Sequence, residues 1–319
     1  MTQSKKKVAV LMGGWSSERE VSLVSGGAVC KALQELGHDV RAVDVQRDAA
    51  GLVQALTQQV GGKPDIIFNA LHGRMGEDGT VQGVLEFIGI PYTHSGVLAS
   101  AIAMDKPTMK NVAVAHGVPC AEGVVVTRDD ILAKGYPLKP PFVIKPTNEG
   151  SSVGVRIVKT EAQQHTIEED GWIYGTRVLI EAFVPGRELT VSVLGDSKNA
   201  KALAVTELRP RTQDFYDYTA KYSSGQTDHL LPAPVPDDLA AEAKRLSEIV
   251  YRAAGCQGAA RADFRWDETK PGVEGLIFLE LNTQPGLTPL SLLPEQATFV
   301  GMSFTDLMTW ILDHPTCPA

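Results

Sequence analysis

Cysteine is scarce in this chain: four in 319 residues (Cys30, Cys120, Cys256 and Cys317), far apart and with no C-x-x-C pair. That spacing excludes a disulfide framework and a cysteine-based zinc site. Basic runs are also lacking beyond Lys5-Lys6-Lys7, and the net charge is −8, so no surface for nucleic acid or an anionic membrane is expected. No apolar run approaches the ~18 residues of a membrane span. The apolar stretch after the N-terminal lysines stops at Gly13-Gly14, too short for the core of a secretory signal. These absences predict a cytoplasmic chain with no membrane and no nucleic-acid partner. A Walker A loop is missing as well, since no Gly-Lys-Ser/Thr opens a helix anywhere in the sequence. There is no internal repeat and no low-complexity segment.

What is present begins with Lys145-Pro146-Thr147-Asn148-Glu149-Gly150-Ser151-Ser152-Val153-Gly154-Val155. Backbone N–H groups of such a glycine/serine loop can wrap phosphate oxygens. Its flanks read as strands, Pro141 to Lys145 before it and Val155 to Val158 after it, so the loop sits at the tip of a hairpin. A phosphate-type loop there, with a lysine just ahead of it, predicts a lid over a nucleotide.

At 319 residues the chain is too long for one ordinary core, and two or three domains are expected. The first ~105 residues alternate strand and helix patterns, which favours a parallel sheet. Val8 to Met12 reads as a strand ending in Gly13-Gly14. Ser17 followed by Glu20 reads as a capping box, opening a helix that turns Val21, Val24, Ala28 and Leu36 inward and stops at Gly37. Asp65 to Leu71 reads as another strand ending at His72-Gly73. Ligands bind at the carboxyl ends of strands in such sheets, which is where Glu18 and His72 fall. From Met104-Asp105-Lys106 to about residue 195 short strands dominate, with Arg177 to Phe183 and Glu188 to Leu194 expected as a hairpin around Pro185-Gly186. Arg209 to Gln226 has no periodicity and carries Tyr216, Tyr218, Lys221 and Tyr222; a loop of that length is usually functional or disordered. A helix over Asp238 to Ala254 is capped by Gly255. Strands Arg261 to Trp266 and Leu276 to Asn282 follow, then a helix starting at Ser303.

Residues two apart on a strand share a face. Arg261 and Asp263 therefore point one way, as do Glu280 and Asn282, with Ala262, Phe264, Ile277, Leu279 and Leu281 on the opposite faces. If the strands pair, Asp263, Glu280 and Asn282 form a patch of oxygen ligands of the kind Mg²⁺ takes when shared with nucleotide phosphates. The same pattern also describes a solvated face of an antiparallel sheet, and the phosphate-type loop upstream tips the choice toward the metal. Lys106 and Lys145 could be ordinary surface lysines, yet one marks a domain junction and the other adjoins the glycine loop. Glu18 is favoured at a helix start by the dipole alone, and His72 could simply close a strand end.

Taken together, Gly13 to Ser22, Ala70 to Gly79, Glu149 to Gly154, Phe215 to Tyr222 and Glu280 to Thr288 closely resemble the D-alanine–D-alanine ligase family of the ATP-grasp superfamily. The resemblance runs over essentially the whole chain, in the family's order. It implies an α/β and α+β protein: an ATP-grasp fold with an N-terminal parallel-sheet (pre-ATP-grasp) domain. The divisions it implies are an N-terminal substrate domain (1–105), a central lid domain (106–190) and a C-terminal catalytic domain (191–319). It further implies ligation of two D-alanines at the expense of ATP, through an acyl phosphate, for peptidoglycan precursors. ATP and Mg²⁺ are the implied cofactors, with two ions and Mn²⁺ as a substitute, and a homodimer is the implied assembly. By resemblance, Glu18, Ser151, Tyr222, Arg261 and Gly286 are catalytic, and Glu18, His72, Arg261, Ser291 and Leu292 bind substrate. Lys106, Lys145, Ser151, Ser152, Glu181, Phe183, Val184, Glu188 and Lys221 bind nucleotide, and Asp263, Glu280 and Asn282 hold metal. The lid tyrosine Tyr222 favours an amine as second nucleophile over the D-lactate hydroxyl of a depsipeptide ligase, the alternative within the fold. A nucleotide-binding protein without catalysis is the alternative outside it. Gln284 and Asn148 depart from what relatives carry, with little effect on chemistry expected.

Overall fold

The computed structural model describes residues 5–58, 62–150, 153–163, 175–196, 198–211 and 226–317. The first unit runs β1 (Lys7–Gly13), α1 (Arg19–Glu35), β2 (Asp39–Val45), α2 (Ala49–Thr57), β3 (Ile66–Asn69) and α3 (Thr80–Ile88). Its sheet is parallel in the order β2-β1-β3, so the central β1 is covered on both faces, which is why Val8 to Met12 is apolar without alternation.

The helix after β1 departs from the expected pattern. Residue Glu18, and not Ser17, precedes its first turn, and no side chain caps it. Ser16 does the local work instead: its hydroxyl accepts the Glu18 N–H (3.2 Å) and donates to the His72 carbonyl (2.7 Å). With Gly13 and Gly14 at positive φ, the chain folds back over β3 and Glu18 turns into a cleft. The apolar stripe is shifted accordingly. Val21, Val29, Ala32 and Leu33 are buried, whereas Val24 is 53% exposed and Ala28 and Leu36 are half-buried.

Helices α4 (Val97–Met104) and α5 (Lys106–Ala115) lead to β4 (Gly123–Thr127), α6 (Arg128–Lys134), β5 (Phe142–Pro146), β6 (Arg156–Val158) and β7 (Arg177–Ala182). These four strands form an antiparallel sheet in the order β4-β7-β5-β6, and β5 and β6 make the expected hairpin. The third sheet holds β8 (Arg187–Gly195), β9 (Lys201–Pro210), β10 (Thr227–Leu230), β11 (Gly258–Trp266) and β12 (Leu276–Asn282), in the order β10-β9-β8-β11-β12. The hairpin expected around Pro185-Gly186 is therefore absent. β7 and β8 belong to different sheets, and residues 183–186 cross between them. Gly186 makes the crossing possible, since a Cβ there, at φ +91, would lie 2.0 Å from the Trp266 carbonyl.

α7 (Asp237–Ala254) packs Leu239, Ala243, Leu246 and Val250 against the third sheet and ends at Gly255 in the left-handed region, as its sequence pattern indicates. α8 (Leu292–Phe299) and α9 (Phe304–Asp313) close the chain; Ser303 and Asp306 cap α9 reciprocally. Packing does not follow chain order. Ala99, Ala103, Met109 and Ala113 of α4 and α5 join the core under the third sheet, while Leu307, Met308 and Ile311 of α9 join that under the parallel one. No helix of the described residues is long and apolar enough to cross a membrane.

His94 lies 1% exposed between these layers, edge-on to Phe68 with ring centroids 5.8 Å apart. Burial holds its imidazole neutral and pushes its pKa from 6.5 down to about 4. The unfolded chain thus takes up this proton first as pH falls. The stability His94 contributes is complete above pH 6.5 and is lost on the way to about pH 4, up to about 3 kcal/mol. His94→Asn keeps a residue that tolerates the observed φ of 69°. Urea unfolding at pH 7 and pH 4.5 should show a smaller acid loss in this variant than in the parent; equal losses would refute the assignment.

Candidate active site

β11 and β12 pair antiparallel, with Arg261 opposite Asn282 and Asp263 opposite Glu280. One residue further the register slips, so that Phe264 faces Phe278 and Leu279 is the extra residue. This bulge corrects the simple alternation. Leu276 and Phe278 enter the core, where the Phe264 and Phe278 rings meet edge-on at 5.7 Å, and Leu279 and Glu280 both face a cleft. Ile277 and Leu279 consequently stay out of the core that alternation assigned to them.

Two adjoining cavities meet at this pair of strands, with empty volumes of about 910 and 770 Å³. The second lies between the two antiparallel sheets and is walled by Lys145, Glu181, Phe183, Val184, Glu188 and Asp263. The first lies toward the parallel sheet and takes in Glu18, His72, Arg261, Asn282, Gly286 and Ser291. Leu292 lines it too. Lys106 and Glu280 belong to both, and their charged ends are 3.5 Å apart.

On the second cavity's side, Glu181 is buried and paired with both Lys145 and Lys110. Burial opposes its ionisation, but the two ammonium groups outweigh that and hold its carboxyl below the ordinary range. Burial would likewise discharge Lys145; Glu181 above all, then Glu280 and Glu188, keeps its pKa above the usual lysine value. Lys110 also donates to the Ala121 carbonyl (2.9 Å) and does not line the cavity, so it steadies Glu181 from behind. Asp263 accepts both arms of the Arg261 fork (2.8 and 2.9 Å) and the Thr190 hydroxyl (2.5 Å). Lys106 opens α5 and donates to the Glu149 carbonyl at 2.5 Å, tying the glycine loop to the cavity seam.

On the first cavity's side, Glu18 is 4% exposed, and the His72 ring stands 3.0 Å from the Ser25 hydroxyl. Burial keeps the His72 pKa below its usual value against the pull of Glu18. Gly286 needs to be glycine, because a Cβ would fall 2.7 Å from the Ser291 hydroxyl. Ser291 Oγ in turn accepts the Thr288 N–H at 2.9 Å. Gln284, next to these residues, is 1% exposed. It donates to the Leu71 carbonyl, accepts from Asn69 (2.8 Å), and its N–H fixes the Asn282 amide oxygen (2.8 Å). It therefore locks the parallel sheet to the strand that carries Glu280.

Of the residues singled out from sequence, the two cavities gather Glu18, His72, Lys106, Lys145, Glu181, Phe183, Val184, Glu188, Arg261, Asp263, Glu280, Asn282, Gly286, Ser291 and Leu292. Ser151, Ser152, Lys221 and Tyr222 lie outside the described residues. Sequence reasoning missed Lys110 and Glu77. Lys110 stands four residues after Lys106, on the same helical face. Glu77 lies within the Ala70 to Gly79 motif and lines the first cavity.

The C-terminal model of D-ala D-ala ligase matches residues 114–313, and the N-terminal model matches 48–95. The D-alanine–D-alanine ligase of Chelativorans sp. (strain BNC1) is 49% identical over 317 residues, covering 98% of this chain and 99% of its own. That of Rhodospirillum rubrum is 50% identical over 314 residues, with the same coverage. Among solved structures, a D-alanine–D-alanine ligase from Bacillus anthracis complexed with ATP superposes with a TM-score of 0.79 at 31% identity, over 98% of this chain and 97% of that one. The VanG D-Ala:D-Ser ligase from Enterococcus faecalis gives a TM-score of 0.80 at 28% identity, over 97% and 99%. Matched along nearly its full length in sequence and in structure, the chain belongs to the D-alanine–D-alanine ligase family and has its ATP-grasp fold.

Proposed function

We propose that the chain joins two D-alanine molecules into D-alanyl-D-alanine at the expense of ATP, with nucleotide in the cavity between the antiparallel sheets and amino acids in the other. One observation carries the allocation: Lys106 and Glu280 belong to both cavities and stand 3.5 Å apart at their junction, where a transferred phosphoryl group would pass. A carboxylate is a poor electrophile until it is activated. The γ-phosphoryl of ATP moves to a carboxylate oxygen of the first D-alanine, and ADP is left. The amine of the second D-alanine attacks the carbonyl carbon and loses a proton, and inorganic phosphate leaves with the bond to the acyl carbon broken.

This chain's residues position and neutralise at each stage, the main requirement of phosphoryl transfer. Lys106 and Lys145 meet phosphate oxygens, and Glu181, Phe183, Val184 and Glu188 surround the adenine and ribose. Asp263, Glu280 and Asn282, two carboxylates and an amide oxygen on paired strands, are the donor set Mg²⁺ takes, and they would hold it, with Mn²⁺ as a substitute. The metal would neutralise phosphate charge. Arg261 and Gly286 line the first cavity, and the guanidinium with the Gly286 N–H would serve the oxyanion that develops on amine attack. Glu18 takes the first ammonium, His72 adjoins it, and Ser291 and Leu292 take the second carboxylate. By the family resemblance, Ser151, Ser152 and Lys221 serve the nucleotide, and Ser151 and Tyr222 the catalysis. A division into units 1–105, 106–190 and 191–319 follows the three sheets only in outline, since β8 of the third sheet starts at Arg187 and α5 packs in that sheet's core. Exposed Phe87 and Leu98, on the touching helices α3 and α4, support a homodimer. The product would serve peptidoglycan precursor synthesis in the cytoplasm. A D-lactate acceptor gains no support, because the relatives named above are ligases of D-alanine or D-serine.

Phosphate release from ATP and Mg²⁺ should depend on D-alanine, with D-alanyl-D-alanine formed and L-alanine inert; release without that dependence would sink the reading. Glu280→Gln should lower turnover by at least roughly 100-fold, as loss of a transition-state charge contact does, while the melting temperature stays near the parent's. Unchanged turnover would remove the metal and phosphoryl assignment.

A further inference from the structure

The first cavity is built from two parts of the fold. Glu18 and His72 come from the parallel-sheet unit, whereas Arg261 and Gly286 come from β11 and the loop after β12. The span between its ends is only as well defined as the contacts that join these parts. Gln284 makes one such contact, and α1 makes another.

Two serines on the buried face of α1, Ser22 and Ser25, are both 0% exposed and reach in different directions. Ser22 stays within its own unit: its hydroxyl accepts the Gly13 N–H (2.9 Å) and donates to the Ala70 carbonyl (2.7 Å). Ser25 reaches out of it. Its Oγ accepts the N–H of Leu287 at 3.3 Å, 262 residues along the chain, and stands 3.0 Å from His72 Nε2. Burial keeps the His72 ring neutral, so Nε2 can accept the proton that the Ser25 hydroxyl has left to give. A hydrogen-bonded chain thus runs from the Leu287 N–H through Ser25 to a ring on the cavity wall, and links in such a chain polarise one another.

A buried helical serine can satisfy itself locally, as Ser247 does on the Ala243 carbonyl at 2.7 Å. Ser25 instead joins two segments of the site, while lining neither cavity itself. Both ends of this link are firm. The Leu287 side chain is 1% exposed in the core that α1, β1 and α9 share. α1 lies hard against β1, since a Cβ on Gly26 would sit 2.6 Å from Met12 Cβ. Gly286, one residue before Leu287, has no side chain of its own to anchor it.

We propose that Ser25 is a positioning residue. By holding the Leu287 N–H and the His72 ring on one oxygen, it fixes the Gly286 N–H at a set distance from Glu18. An α-amino acid presents its carboxyl carbon at one reach from its ammonium, so the oxyanion donor is in place only where that span is kept. The inference rests on the reaction proposed above.

Ser25→Ala deletes one oxygen and keeps a good helix former. Turnover at saturating D-alanine should fall roughly 10- to 100-fold, the cost of a misplacement of about 1 Å, while the Michaelis constant for ATP stays at the parent's value. Hydrogen exchange should show the Leu287 amide losing protection while the amides of β1 and β11 keep theirs. Ser25→Thr, which restores the hydroxyl, should recover most of both. Unchanged turnover in S25A overturns the proposal, and so does a loss of turnover with the Leu287 amide still protected. Protection lost evenly across the three sheets would make Ser25 a packing residue and overturn it as well. Should S25T not fold, Ser25→Cys takes its place, and recovery no better than alanine's in the folded variant refutes the positioning role. Parent protein without D-alanine-dependent phosphate release would overturn the reaction instead, and the exchange comparison would still decide whether Ser25 holds the loop.

Discussion

The pairing of β11 with β12, bulged at Leu279, is the constraint on which the rest of the site depends. Above the bulge, Arg261, Asp263, Glu280 and Asn282 stand as two facing pairs. Below it, Phe264 and Phe278 interlock in the core. Without the extra residue, continued alternation would carry either Glu280 or Phe278 to the wrong face, since a slip of one residue reverses every side chain after it. The bulge lets one strand satisfy a core and a charged cleft at once. β8 on the other side of β11 supplies Thr190 to Asp263, so the acid is fixed from both neighbours.

Around this pair the protein concentrates buried charge that would be unfavourable one group at a time. It is tolerated because opposite signs interleave: Glu181 between Lys110 and Lys145, Asp263 in the Arg261 fork, Lys106 against Glu280. Both cavities carry both signs: Lys106, Lys145 and Arg265 stand with Glu181, Glu188, Asp263 and Glu280 in one, and Lys106 and Arg261 with Glu18, Glu77, Glu149 and Glu280 in the other.

Much of this was legible in the chain. The β5–β6 hairpin, the α7 stripe ending at Gly255, the shared side of Arg261, Asp263, Glu280 and Asn282 and the Ser303 cap all follow from local chemistry that neighbours do not overrule, whereas alternation past Leu279 fails at the bulge. The misses share a different cause. Pro185-Gly186 marks a sharp reversal equally well in a hairpin and in a crossing between sheets, and only the partners of β7 and β8 distinguish them. Ser17 and Glu20 have the spacing of a capping box, but Ser16 bonds the His72 carbonyl in the loop after β3, and the helix starts after Glu18. Glu77 and Lys110 gave no signal of their own, because each takes its meaning from a partner far along the chain. Gln284 appeared an indifferent departure; in the fold it joins Asn69 and Leu71 to Asn282.

The ammonium of Lys106 has three protons to give. The Glu149 carbonyl of the glycine loop takes one, and Glu280 lies along a second. On the proposed reaction, a phosphate oxygen entering the junction would compete for the remainder on a nitrogen whose other contacts reach the glycine loop and β12. Loop and strand thus meet on a single atom, anchored by a helix in the core of the third sheet. On that reading the lysine would link nucleotide, loop and strand as well as supply a counter-charge.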